Sequence, residues 1–275
     1  MNDINVSIII TTYNWPEALK VVLTSLLAQS YSGFEIIIAD DGSSQETHTL
    51  IQTGLSSCAH RWIHVSHEDN GIRQARVKNL AVKHAKGRYL LFIDHDVALH
   101  PDFVKDHLSM TTPGCFLQGK RVFLPESLTN DILKQGYLPK INPLQIGLEN
   151  RQNAFRLPKL GKLFARPHKF QTSLRGCNLS MYYDDFIRVD GYDEVFDQAW
   201  GREDSDICYR LYHSGIRVKN LRFSGIQYHL HHHVLKKRDR DVLDDELDKI
   251  IAEKRNKAVK GFSKLSDEGG IIAQS

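Results

Sequence analysis

Short apolar runs alternate with helical patterns over the first hundred residues. The run VSIII (6–10) suits a buried strand, and WPEALKVVLTSLLAQS (15–30) places Pro16 near a helix start ahead of apolar residues at helical spacing. FEIIIAD (34–40) is the next strand, which makes the unit a right-handed parallel crossover. A helix follows at SQETHTLIQTGL (44–55), a strand at RWIHVSH (61–67), a helix at IRQARVKNLAVKHAKG (72–87) and a strand at RYLLFID (88–94). The pattern predicts a doubly wound α/β half, whose ligands bind at the carboxyl ends of the strands.

Beyond residue 110 the periodicity fades. Residues 111–173 hold six of the eight prolines and end in the basic stretch KLGKLFARPHKF (159–170), so irregular structure and a mobile lid are expected there. EDSDICYRLYHSG (203–215) resumes a helix with acids in its first turn and Gly215 at its end, and FSGIQYHL (223–230) a strand leading into histidines. The tail from 235 reads as a charged helical extension.

Composition excludes more than it selects. With 275 residues and 41% hydrophobic content, the chain can bury a sizeable core. Thirty-six basic against 33 acidic residues is too mild a bias to point to nucleic acid. Cys58, Cys115, Cys177 and Cys208 are far apart, against a disulfide framework or zinc cluster and for reduced thiols in a cytoplasmic protein. The first apolar run is too short for an export signal or a membrane span.

Polar residues fall where the strand pattern ends: Thr11 to Asn14, Asp40 with Asp41, and Asp94 with Asp96. No GxGxxG and no GxxxxGK[ST] is present, so a phosphate must be met in another way. Two carboxylates in a D-x-D pattern can hold Mn²⁺ or Mg²⁺ against a pyrophosphate, although such a pair can also merely cap a strand. Glu203 and Asp204, beside Trp200, can supply a general base or simply favour a helix dipole. The histidines of YHLHHH (228–233) can complete a metal shell.

Taken together, VSIIITTYN, EIIIADDGSS, GIRQARVKNLAVKHAKGRYLLFIDHD, HPDF, RGCNLSMYYDDF, WGREDSDICYRL and KNLRFSGIQYHLHH resemble the family 2 glycosyltransferases of the GT-A fold. Within them the chain is most similar to the bacterial galactosyltransferase-related branch that builds surface polysaccharide or lipopolysaccharide. The resemblance spans about residues 5–235 and implies a Rossmann-like, mostly parallel sheet flanked by helices. It divides the chain into a nucleotide-sugar-binding half (1–110), an acceptor-binding and catalytic half (111–234) and a helical extension (235–275).

The resemblance also implies roles. Thr11, Tyr13 and Asp41, with Asp40 beside them, would grip the nucleotide base, and Arg73 would face the nucleotide or its phosphates. Asp96 would bind the metal directly, Asp94 the ribose or a metal-bound water, and His229 would close the shell, with His232 left without a firm role. Asp204 would be the base of an inverting transfer, Glu203 would hydrogen-bond acceptor or donor sugar, and Trp200 would form the acceptor platform. Arg175, Gly176, Cys177 and Asn178 match a motif near the donor sugar. His95 stands where relatives often carry Gly or Asp, and Ala199 precedes Trp200 where many carry Gly.

The expected activity is metal-dependent, inverting transfer of a hexosyl or N-acetylhexosaminyl group. The expected donor is a UDP-sugar and the acceptor a glycan or lipid-linked saccharide. The alternatives are a degenerate nucleotide-sugar-binding protein and a sugar nucleotidylyltransferase. The basic runs leave room for peripheral contact with the inner membrane face.

Overall fold

The computed structural model describes residues 5–168, 176–197, 201–233 and 240–275. From the start of the chain come β1 (Val6–Thr12), α1 (Pro16–Leu27), β2 (Phe34–Asp40), α2 (Gln45–Leu55), β3 (Trp62–Ser66), α3 (Gln74–Lys83) and β4 (Tyr89–Asp94). Next are β5 (Val97–Leu99), α4 (Phe103–Met110), β6 (Cys115–Gln118), β7 (Arg121–Phe123), α5 (Glu126–Gln135), α6 (Pro158–Phe164) and β8 (Pro167–His168). The remainder holds β9 (Leu179–Tyr182), α7 (Tyr183–Arg188), α8 (Glu203–His213), β10 (Arg217–Asn220), β11 (Gln227–His229), α9 (Arg240–Glu253) and β12 (Gly270–Gln274).

Nine strands form the main sheet in the order β12-β3-β2-β1-β4-β9-β6-β10-β8, and β5-β11-β7 form a small second one. The β3-β2-β1-β4 block is parallel, as the alternation of strand and helix predicts. β1 is buried along its whole length because both faces are covered. Ile8 and Ile10 pack with Leu19, Ile51 and Phe103 on one side. Ile9 packs with Val77, Phe186 and Leu211 on the other.

Two expectations change. Residues 111–168 carry β6, β7, α5, α6 and β8 between irregular stretches, and two of their prolines stand at helix starts: Pro125 caps α5 and Pro158 opens α6. The tail is not helical throughout, since after α9 the chain returns to pair β12 antiparallel with β3, covering the edge of β3. Among the described residues, no helix is long and apolar enough to cross a membrane.

Candidate active site

Strand register assembles the site. Thr11 lies opposite Asp94, and Thr12 opposite Asp40, so the polar ends of β1, β2 and β4 share one edge of the sheet. The chain then turns into β5, where Val97 pairs with His229 of β11. The Leu230 amide donates to the Asp96 carbonyl at 2.9 Å, which fixes the histidine strand beside Asp96.

His229 Nε2 lies 3.2 Å and His232 Nε2 3.1 Å from the same oxygen, Oδ2, of Asp96. Their other ring nitrogens face carbonyl oxygens, His229 Nδ1 that of Leu230 at 2.8 Å and His232 Nδ1 that of His233 at 3.2 Å. A carbonyl can only accept, so each Nδ1 carries the proton and each neutral ring presents an Nε2 lone pair to Asp96. The second Asp96 oxygen, Oδ1, is buried with no hydrogen-bond partner. Three acceptors facing one another need a cation or added protons between them. Two imidazoles and a carboxylate suit Mn²⁺ among the divalent ions expected here.

A second trio shows the contrast. His64 Nε2 is 2.8 Å and His48 Nε2 3.2 Å from Asp40 Oδ2. Here His64 Nδ1 has no partner, so Nε2 is free to carry the proton and donate. The Ser43 amide satisfies the other Asp40 oxygen at 2.8 Å. Burial opposes charge on Asp40, but the His64 and Ser43 hydrogen bonds outweigh it and hold the carboxyl below its usual range. Asp40 is thus satisfied by His64 and Ser43, while His48 Nε2 lies beside it without a hydrogen bond of its own.

Negative charge is concentrated next to Asp96. Burial first, and then the Asp96 charge, push Asp94 up to about 7. Burial works against ionisation of Asp96 as well, but His229 and His232 prevail and hold it far below the ordinary carboxylate value. A proton added at His232 Nε2 would be held by a hydrogen bond to Asp96, which raises the pKa of this ring.

At the start of α8, Glu203 and Asp204 meet a lysine from α3. Lys78 Nζ, only 2% exposed, donates to Glu203 Oε1 at 3.0 Å and Asp204 Oδ1 at 3.1 Å. Burial disfavours its charge, yet the two carboxylates overcome that and raise it well above the usual lysine value. Burial and the Asp204 charge raise Glu203. The Gly176 amide donates to Asp204 Oδ2 at 2.9 Å. A Cβ at Gly176 would lie 2.0 Å from the Asp204 carboxylate, so only glycine lets the backbone approach this closely. Asp204 is thus held at both oxygens while its side chain keeps 24% exposure.

The expected donor-side residues divide. Thr11 is buried at the strand edge, and Tyr13 is half exposed, its hydroxyl donating to Asp69 Oδ2 at 3.1 Å. Asp41 accepts from His67 at 2.7 Å and from the Arg73 amide at 3.2 Å. Asp40 is enclosed in its histidine network, and the Arg73 guanidinium binds Glu268 at 2.6 Å and the Glu68 carbonyl. Trp200 and Arg175 lie outside the described residues.

Three contributors were missed or left without a role by the sequence. His232 joins Asp96, Lys78 holds the two α8 carboxylates, and Arg121 stands near the centre. The Arg121 guanidinium lies over Phe123, 5.0 Å from the ring centroid, and its charge favours ionisation of Asp94. Its Nε donor is buried without a partner. For His232, the only textual signal is its place in the histidine run.

Comparison with known proteins bears on the family and the fold. A family described as Glycosyl transferase family 2 matches residues 7–155, and one described as N-terminal domain of galactosyltransferase matches residues 163–233. Chondroitin synthase of Escherichia coli is 28% identical over 81% of the chain. Validoxylamine A glucosyltransferase of Streptomyces hygroscopicus subsp. jinggangensis is 28% identical over 80%. The chain spans 34% and 54% of those two proteins. Among solved structures, S. aureus TarS 1-349 in complex with UDP-GlcNAc superposes with a TM-score of 0.65 at 16% identity. That match covers 91% of this chain and 66% of TarS 1-349. A mannosyltransferase from Pyrobaculum calidifontis in complex with GDP-Man and Mn²⁺ gives 0.58 at 16% identity, covering 82% of this chain and 56% of that one. These likenesses establish the GT-A fold.

Proposed function

The chain belongs to glycosyl transferase family 2, and from that premise we propose a metal-dependent, inverting glycosyltransferase that moves a sugar from a UDP-sugar to a hydroxyl of a growing bacterial glycan. One observation carries the metal dependence: the lone pairs of His229 and His232 and the carboxylate of Asp96 converge with no donor among them. Asp96, His229 and His232 would hold Mn²⁺ or Mg²⁺, with Asp94 alongside. The bound ion supplies positive charge against the diphosphate of the donor.

In this reading the rest of the chemistry belongs to the protein. Asp204 accepts the proton of the attacking hydroxyl, and its fixed orientation rests on Gly176 and Lys78. Glu203 and Trp200 bind the acceptor or donor sugar. The unpartnered Arg121 Nε is a donor available to a phosphate oxygen. Thr11, Tyr13 and Asp41 line the nucleotide side, whereas Asp40 supports them from within its histidine network and Arg73 depends on release from Glu268. A single displacement from the face opposite the nucleotide inverts the anomeric centre. The UDP-GlcNAc complex of TarS supports a uridine nucleotide donor.

The test is a transfer assay over a panel of UDP-sugars, with the product anomer read by NMR. Asp204→Asn should keep UDP binding and lose turnover, and the product should be inverted. A retained anomeric configuration, or full turnover in Asp204→Asn, would contradict the mechanism.

A further inference from the structure

Helix α6 is built inside out. It sets its smallest side chains inward: Gly161 and Ala165 are buried, and a Cβ at Gly161 would come within 2.6 Å of the Arg222 carbonyl. Its large apolar residues face solvent, with Leu157 50%, Leu160 38%, Leu163 58% and Phe164 44% exposed. A soluble surface rarely clusters such side chains within eight positions, and an ordinary surface helix would turn them to the core. The segment is firmly attached. The Leu157 amide donates to the Phe223 carbonyl at 2.9 Å, and β8, just after the helix, pairs with β10.

The segment that carries these residues has charge of one sign. No Asp or Glu occurs between Glu149 and Asp184. Arg151, Lys159, Lys162 and Arg166 are exposed within this stretch, and Arg222 is exposed beside the helix. Arg156 is set apart, since Asp102 and Asp106 bind it at 3.0 and 2.7 Å.

We infer that α6 and its basic flanks form a docking surface for an anionic lipid bilayer. Lysines and arginines would meet the headgroup charge while Leu157, Leu160, Leu163 and Phe164 enter the interface, the pattern of a membrane-surface helix. Four exposed apolar side chains favour a bilayer over a soluble polyanion, which would engage the cations and leave the leucines in water. The inference stands apart from the donor chemistry and does not depend on it.

Flotation with phosphatidylcholine vesicles, with and without phosphatidylglycerol, tests it on the full chain. The unaltered protein should float with the anionic vesicles and stay behind with the neutral ones. Lys159→Gln/Lys162→Gln should weaken anionic binding roughly 30-fold, taking the usual contribution of each surface cation. Leu160→Ser/Leu163→Ser/Phe164→Ser should weaken it at least as much. Both variants should melt as the parent does, because all five side chains are exposed. Absence of binding to anionic vesicles would overturn the inference. So would full binding by the serine variant with loss only in the glutamine variant, the signature of a soluble polyanion site.

Discussion

Replacing Lys78 with methionine isolates one buried charge and leaves shape nearly unchanged. The ammonium is 2% exposed and 3.0–3.1 Å from Glu203 and Asp204, whose side chains are 7% and 24% exposed. Lys78→Met therefore strands Glu203 as a buried anion next to a second carboxylate. Removing one partner of a buried pair costs about 3–5 kcal/mol. The loss has a ceiling, because Glu203 can take up a proton. Protonating an ordinary glutamate at pH 7 costs about 4 kcal/mol. The expected destabilisation at pH 7 is thus about 3–4 kcal/mol, seen as a fall in melting temperature of roughly 10 °C.

The pH dependence has a definite sign. The folded-state pKa of Glu203 is raised, so its anion penalises the folded state progressively as pH rises above the unfolded value. The gap between Lys78→Met and the parent should narrow from pH 7 to pH 5, and Lys78→Met/Glu203→Gln should recover most of the stability at pH 7. Urea unfolding at the two pH values measures both effects. A loss below about 1 kcal/mol, or one equal at both pH values, would refute a buried ion pair here.

Gly176→Ala forces a methyl group into the Asp204 carboxylate, so turnover should fall by roughly 100-fold while UDP affinity, read by calorimetry, holds. Burial pushes His107 down to about 4. The stability carried by the neutral ring is present above the unfolded pKa and lost as pH falls through 4. That loss is about 3 kcal/mol between pH 7 and pH 4, and His107→Gln should flatten it in pH-dependent urea unfolding. Arg210, fully buried, binds Asp206 and the carbonyls of Val189 and Gly191, so Arg210→Met should destabilise by about 3–5 kcal/mol in the same assay.

The strands of the nucleotide half are legible because β1, β2 and β4 are covered on both faces and leave unbroken apolar runs. Asp94 and Asp96 are legible because they follow such a run, whereas His229 is picked out by the resemblance of its stretch to the family's motif. Lys78 is hidden for the opposite reason. Eight of the ten residues of α3 are buried, polar ones included, so its pattern does not separate a core lysine from a solvent-facing one. Its partners lie 125 and 126 positions away. Long separation in sequence likewise conceals Glu268 from Arg73, and it conceals Asp197, which caps α3 through the Ala75 and Arg76 amides at 2.7 and 2.9 Å. In 111–168, Pro125 and Pro158 read as breakers although each stands at a helix start, because a proline there looks the same in sequence as one in a loop.

Metal-held nucleotide binding at Asp96 is tested by calorimetric titration of UDP into the protein with Mn²⁺ and with EDTA, alongside Asp96→Ala. Saturable binding is expected with Mn²⁺ and should disappear in EDTA and in the variant. Equal binding in all three conditions, or no UDP binding in any, would contradict a metal-held uridine nucleotide at Asp96.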